Sequence, residues 1–294
     1  MAVTELPAGG EIAFEMPPDT AAIKPPRVTP TRVFSNLTLV FFGVLFLAPL
    51  IWLLFSAVDS QASQTLEWPH LTFSNFTRAA SAANIAAMKN SALISVIATA
   101  VATIPATLGG YAFSRHHIPL KGPLLLGILM LAGVPMSILI VPIYQVFAGH
   151  NWLALIPASV FLGVTSLPFE LWIVKNFIDA VPVDLEESAR LERAGTWQIL
   201  TRIVVPLALP GIGAAAIFGF INAWGNFLVP LVLIVDPTQQ PSPVAMYGFF
   251  GGNVIRWGEI AAYSIMYSVP VLILYLALGR LFRGGFVLSG AIRG

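Results

Sequence analysis

Five charged residues crowd into a short stretch of this chain: Glu186, Glu187, Arg190, Glu192 and Arg193. Elsewhere charges are scarce, since Asp, Glu, Lys and Arg together make up only 10% of the sequence. Glu186 and Glu187 precede Arg190 by four and three residues, the favourable acid-first order on one helix face. Such a set makes ion pairs and hydrogen bonds. It contains no nucleophile with a base and no metal-ligand cluster, so neither catalysis nor a metal site is expected from it. Leu185, Ser188 and Ala189 fall on another face, small and mildly apolar, where a second backbone could approach closely. Two readings suit the stretch: a solvated loop kept in water by its own charges, or a docking surface for another protein.

The elements that position these residues follow from local signals. Asp184 stands three residues before Glu187 and predicts an acidic capping box at a helix start. Gly195 is expected to end that helix and act as a joint, and Thr196 to cap a second one through Trp197, Leu200 and Ile203. Around this helix–joint–helix unit lies a chain of 294 residues that is 57% apolar, with a mean hydropathy of +0.82. Soluble domains carry about 25% charged residues, so most of this surface is expected to face lipid. A net charge of +1 argues against nucleic acid as a partner, and the absence of cysteine excludes disulfides and thiol catalysis. Residues 1–34, acidic and then proline-rich, read as a flexible cytoplasmic tail without the order of a signal peptide.

A spanning helix needs roughly 20 mostly apolar residues. Residues 33–58, 90–114, 203–235 and 260–279 each supply one span. Gly122 to Phe169 runs 48 residues without a formal charge, enough for two more with a turn near His150-Asn151. The expected fold is therefore all-α with six transmembrane helices. Twelve basic residues fall on one side and only Arg78, Lys89 and Arg256 on the other. The positive side is cytoplasmic, which puts both termini and the 182–204 stretch inside.

Three residues within the spans invite chemistry. Glu170 carries a carboxylate at membrane depth, where it is costly and faces either a solute path or the interface. Trp224 and Asn226 suit the faces and hydroxyls of a sugar, or else helix packing. His116-His117 belongs with the positive-inside signal and not with a metal site. An ion-coupled secondary transporter is the alternative class, with Glu170 as its single candidate coupling group. No Gly-rich loop ending in Gly-Lys-Ser/Thr occurs, so no P-loop for ATP is expected in this chain.

Glu187-Ser188-Ala189, followed by Ile203, Val205 and Pro206, resembles the EAA loop of ABC-transporter permeases: E-A-A, three residues, G, nine residues, I-x-L-P. Pro182 to Glu187 is similar to the P-x-E-L-E-E that leads into it in sugar permeases. Gly110 to Arg115 resembles their G-Y-A-F-A-R. Pro142-Ile143-Tyr144, Asn176-Phe177, Phe220 with Trp224 to Phe227, and Gly290 to Gly294 follow in family order. The resemblance covers residues 33–294, the 35–294 stretch being the permease domain. It departs where Arg193 replaces the motif glycine and Glu192 the usual aspartate. What it implies is a carbohydrate (maltose-type) importer subunit, the smaller six-span partner, in a bacterial or archaeal cytoplasmic membrane. Its partners would be a second permease, two ATPase subunits that hold ATP and Mg, an extracytoplasmic solute-binding protein and membrane lipid. This chain itself would bind no cofactor. Glu186, Glu187, Ser188, Ala189, Arg190, Gly195, Ile203 and Pro206 would form the coupling loop that docks on the ATPase, with coupling helices between spans four and five. Glu170, Trp224 and Asn226 would be candidates for the solute path. Asp236 to Arg256, with Gly248, Gly251 and Gly252, would take the place of the loop that probes the binding protein, or be a flexible connector.

Overall fold

The computed structural model describes residues 30–250 and 255–290. Residues 1–29, Gly251, Gly252 and the motif's last four residues lie outside the described residues. The helices are α1 (Pro30–Ala57), α2 (Ser74–Ala79), α3 (Ala82–Arg115), α4 (Lys121–Leu131), α5 (Met136–Gly149), α6 (Leu155–Asp179), α7 (Val183–Leu191), α8 (Thr196–Ile199), α9 (Val205–Trp224), α10 (Leu228–Leu233), α11 (Ser242–Gly248) and α12 (Trp257–Gly290). Residues up to Leu50 form one compact unit and those from Ile51 on another. Within the first, Phe42 packs against both Phe41 and Phe46 and all three remain exposed, a surface suited to hydrocarbon.

In the second unit, α3, α6 and α9 form the packed centre. Their contact faces are written in small residues. Along α3 the buried line is Ala87, Ser91, Ser95, Ala98, Ala102, Ala106 and Gly110. Along α9 it is Ala208, Gly211, Ala215, Gly219 and Ala223. Steps of three and four keep each line on one helix face. Between helices in lipid there is no hydrophobic drive, so close van der Waals packing of small side chains takes its place. Gly163 of α6 shows how tight the approach is: a Cβ there would stand 2.6 Å from the Ala98 carbonyl oxygen.

Five described helices are long and apolar enough to cross a membrane, and counting α4 and α5 as one broken span makes six. The stretch expected to hold two spans divides differently. α4 and α5 meet at 82°, because Pro135 disfavours helical backbone at Val134 and α5 restarts after it. The turn near His150-Asn151 is as expected, with Asn151 in the left-handed region at φ 57°. α6 then runs on to Asp179, past the charges used to delimit it. Span five also shifts, from the expected 203–235 to a continuous helix over Thr196–Trp224. Gly225 ends it. Asn226 lies beyond the helix, its side-chain oxygen accepting from the Val229 N–H at 3.0 Å to start α10.

Between α8 and α9 the helix widens into a π-turn over Leu200–Val204, with the Val205 N–H donating to the Leu200 carbonyl. Pro206 explains it. Its ring crowds the carbonyl four residues back and it has no N–H to offer, so the preceding turn absorbs the misfit.

Candidate functional site

The first candidate site lies where α3 and α6 end and α7 begins. Glu186 is fully buried (0% exposed) and Arg115 nearly so, with an 8% exposed side chain. The Arg115 Nε donates to Glu186 Oε1 at 2.6 Å, and the Tyr111 hydroxyl donates to Oε2 at 3.0 Å. Arg190 approaches the same carboxylate at 3.5 Å, the expected i,i+4 pair. Beside this knot Ser114 donates to Asp179 at 2.6 Å, and Lys175 pairs with Asp179 at 2.5 Å. Glu186 is therefore an internal tie and not part of an exposed docking face. Sequence reasoning missed its partners because Arg115 and Tyr111 are about seventy residues away.

What α7 exposes is different. Glu187, Ser188 and Arg190 face outward and Ala189 is half-buried. Helix α7 starts after Pro182, so Asp184 sits inside the first turn instead of capping it. Its backbone carbonyl, and not its carboxylate, is engaged, by the Ser188 hydroxyl at 2.8 Å. Gly195 is not the joint. Its φ is −72°, and it serves as the N-cap residue of α8, with Gln198 Oε1 accepting from its N–H at 3.0 Å. The reversal is made at Arg193, whose φ is 62°. The Ala194 N–H closes back on the Ala189 carbonyl and the Arg193 N–H on that of Arg190, each at 3.0 Å. This is how a helix is ended by one left-handed residue, a place glycine usually takes. Next to the turn two large apolar side chains stand in the open, Leu191 at 86% and Trp197 at 67% exposure. Ile203 is half-buried in the π-turn, and Pro206 is exposed just after it.

The second candidate is a cavity of about 620 Å³ at the α4–α5 bend, between α6 and α9. Phe169 and Phe218, their ring centroids 4.6 Å apart, stand beside Thr165, Ser166, Asn222 and Asn226. Asn226 is an expected solute-path residue; Asn222, four residues before it, joins it in the lining. Glu170 and Trp224 do not line the cavity. Glu170 is 0% exposed, enclosed by α3 and α9, and accepts from the Thr103 hydroxyl at 2.6 Å. Neither a solute-facing nor an interface-snorkelling carboxylate is what the geometry presents. Trp224 stacks between Phe220 and Tyr267, and the Tyr267 hydroxyl donates to its carbonyl, which makes it a packing residue. Among the described residues no group of acidic or histidine side chains could hold a metal ion.

In the segment from Asp236, the side chain of Asp236 accepts from both the Thr238 hydroxyl and its N–H, which hold the carboxyl below its ordinary value. Asn90 of α3 donates to the Thr238 and Gln240 carbonyls, fixing this segment to the bundle.

Comparison with known proteins gives this geometry a context. Residues 105–284 match the model of the binding-protein-dependent transport system inner membrane component family. The chain is 30% identical to the diacetylchitobiose uptake system permease protein DasC of Streptomyces coelicolor, over 90% of this chain and 98% of that one. It is 28% identical to the trehalose/maltose transport system permease protein MalG of Thermococcus litoralis, over 90% and 97% respectively. In fold it resembles a chain from a bacterial ABC transporter that imports the acidic polysaccharide alginate, with a TM-score of 0.72 at 18% identity, covering 87% of this chain and 99% of that one. These matches support the importer reading and not the ion-coupled alternative. The family match takes in the end of α3, all of α6 and α9, the charged knot and the cavity, and this multi-pass chain belongs to the inner-membrane permease components of binding-protein-dependent ABC transport systems.

Proposed function

We propose that this chain is one of two unlike permease subunits that together enclose the path of a saccharide into a bacterial or archaeal cell. An extracytoplasmic binding protein delivers the solute. Two cytoplasmic ATPase subunits, which carry ATP and Mg, dock on the α7–α8 turn and drive the transport. Both termini lie in the cytoplasm, and lipid surrounds the spans. The observation that carries the docking assignment is the exposure of Leu191 and Trp197 on either side of the charged turn, Leu191 at the end of α7 and Trp197 in the first turn of the helix that continues into span five. Two large apolar side chains left uncovered beside a charged turn suit burial in a partner's cleft.

The saccharide class is supported by the solutes in the relatives' names and by the cavity, where two aromatic rings stand beside amides and hydroxyls. Rings pack on the apolar faces of a sugar while the polar groups take its hydroxyls. The docking test replaces Ser188 or Ala189 by Trp, or Glu187 by Lys, in the assembled transporter. Steric exclusion or charge reversal at a close contact should abolish uptake and reduce ATPase co-purification while the subunit still inserts. Uptake at the unsubstituted level in all three variants leaves only a solvated loop.

A further inference from the structure

Arg115 uses its whole guanidinium at the meeting point of three elements. Nε donates to Glu186 of α7. Nη2 donates to the carbonyls of Ile178, at the end of α6, and Val181, in the link to α7, at 3.0 and 2.8 Å. Nη1 donates to Ser114 of its own helix at 3.0 Å. Glu186 in turn is filled by Tyr111 and Arg190. The last carbonyls of a helix have no partner within it, and here the α3 cation takes one of them while gripping the acid of the next helix. Well-packed apolar side chains would hold such a junction at least as firmly as a buried ion pair. What the guanidinium fork adds is direction, since a planar donor set holds its acceptors in one geometry.

We propose that Arg115 is the positioning residue of energy coupling: it bolts α7 to the ends of α3 and α6, so that displacement of α7 by a docked partner moves those spans as one rigid body. The proposal rests on α7–α8 being the ATPase-docking element. Without the bolt, α7 would swing on its link, and a push from the partner would be lost before reaching α3. A cation of the second span and an acid of the cytoplasmic loop thus form one mechanical part.

The test uses the complete transporter, with its second permease, ATPases and binding protein, in lipid nanodiscs. The natural absence of cysteine allows spin labels at Asp184 on α7 and His117 beyond α3. Their separation should stay constant with and without ATP in the unsubstituted protein. In Arg115→Met the distribution should broaden, and transport per ATP hydrolysed should fall about five- to a hundredfold, the span of typical coupling between sites, while the subunits still co-purify. Arg115→Lys should not rescue, because a single ammonium cannot serve Glu186 and two carbonyls together. Glu186→Gln provides the same measurement from the other side of the pair, should Arg115→Met fail to assemble. An ATP-dependent change of the Asp184–His117 distance in the unsubstituted protein overturns the proposal. So does an unchanged transport-to-hydrolysis ratio in Arg115→Met or Glu186→Gln. A cysteine at Leu191 that cross-links to the ATPase separates the two layers. With the cross-link present, either of those results removes the bolt and leaves docking intact. With no cross-link, the docking assignment and the bolt fall together.

Discussion

Arg193 holds a backbone conformation that suits glycine better than any other residue. Left-handed backbone costs an ordinary side chain roughly 1–2 kcal/mol, while glycine's extra freedom in the unfolded chain costs about 0.5–1 kcal/mol. Arg193→Gly should therefore leave transport intact and raise stability by up to about 1 kcal/mol, read as a higher unfolding temperature in detergent; a lower one would show that the arginine side chain holds the turn. Glu170 makes the opposite kind of prediction. A Cβ at Gly219 would stand 2.1 Å from Glu170 Oε1, so Gly219→Ala should cost about 1–3 kcal/mol as overpacking. Glu170→Gln keeps an oxygen for Thr103. Glu170→Leu strands that hydroxyl, at a cost of about 1–3 kcal/mol. Because Glu170 does not line the cavity, Gln should leave the half-saturation of uptake unchanged, whereas Asn226→Ala should raise it. A raised value for the Gln variant would return Glu170 to the solute path. In the sequence Glu170 was visible as an anomaly of depth, but its enclosure was not, because Thr103 and Gly219 reach it from other helices.

At the scale of elements, the π-turn sets how α7 and α8 are presented. Each residue of an α-helix turns about 100°, at 3.6 residues per turn. Pro206→Ala supplies the missing N–H and removes the crowding ring, allowing a regular α-turn. Everything before it, Trp197 included, would then rotate by roughly that amount about the α9 axis. Uptake should fall while insertion and the stability of α9 hold or improve; unchanged uptake would mean that docking tolerates either rotation. Proline at the family's position was legible in the sequence, the widened turn only in coordinates. The small-residue lines of α3 and α9 carried a readable period, whereas which helices they join depended on matching Gly163 with Ala98 across helices. The 82° bend between α4 and α5 was signalled by Pro135 yet hidden within an uninterrupted apolar run.

For the whole molecule, the strongest expectation is topological. Twelve basic residues against three lead us to expect the α7–α8 side in the cytoplasm. Single cysteines at Ser60 and Thr238 should react with an impermeant thiol reagent added outside intact cells, and one at Ser188 should not. Labelling of Ser188 from outside would reverse the orientation and remove the docking surface from the ATPase. The cavity and the α7–α8 turn use different parts of the same three-helix centre: α6 lines the first and α3 is tied to the second. A solute in the cavity and a partner on the turn, as proposed, would therefore act on one packed body.

Composition and charge order were enough for an all-α membrane class with five to six apolar spans and for the expected sidedness, because hydropathy and the positive-inside rule depend on residue type and not on contact. Short-range motif order likewise marked the 182–204 loop and Pro206 just after it. The places of Glu186, Arg193 and Glu170 could be decided only by tertiary structure. Glu186 reads as one more surface acid beside Glu187 until Arg115 and Tyr111 fold over it. Gly195 reads as the joint until the backbone reverses at Arg193. Glu170 reads as solute-facing until α3 and α9 close around it. Burial, partner and backbone sign at these three positions arise from residues distant in the chain or from the conformation of one turn, and local sequence encodes neither.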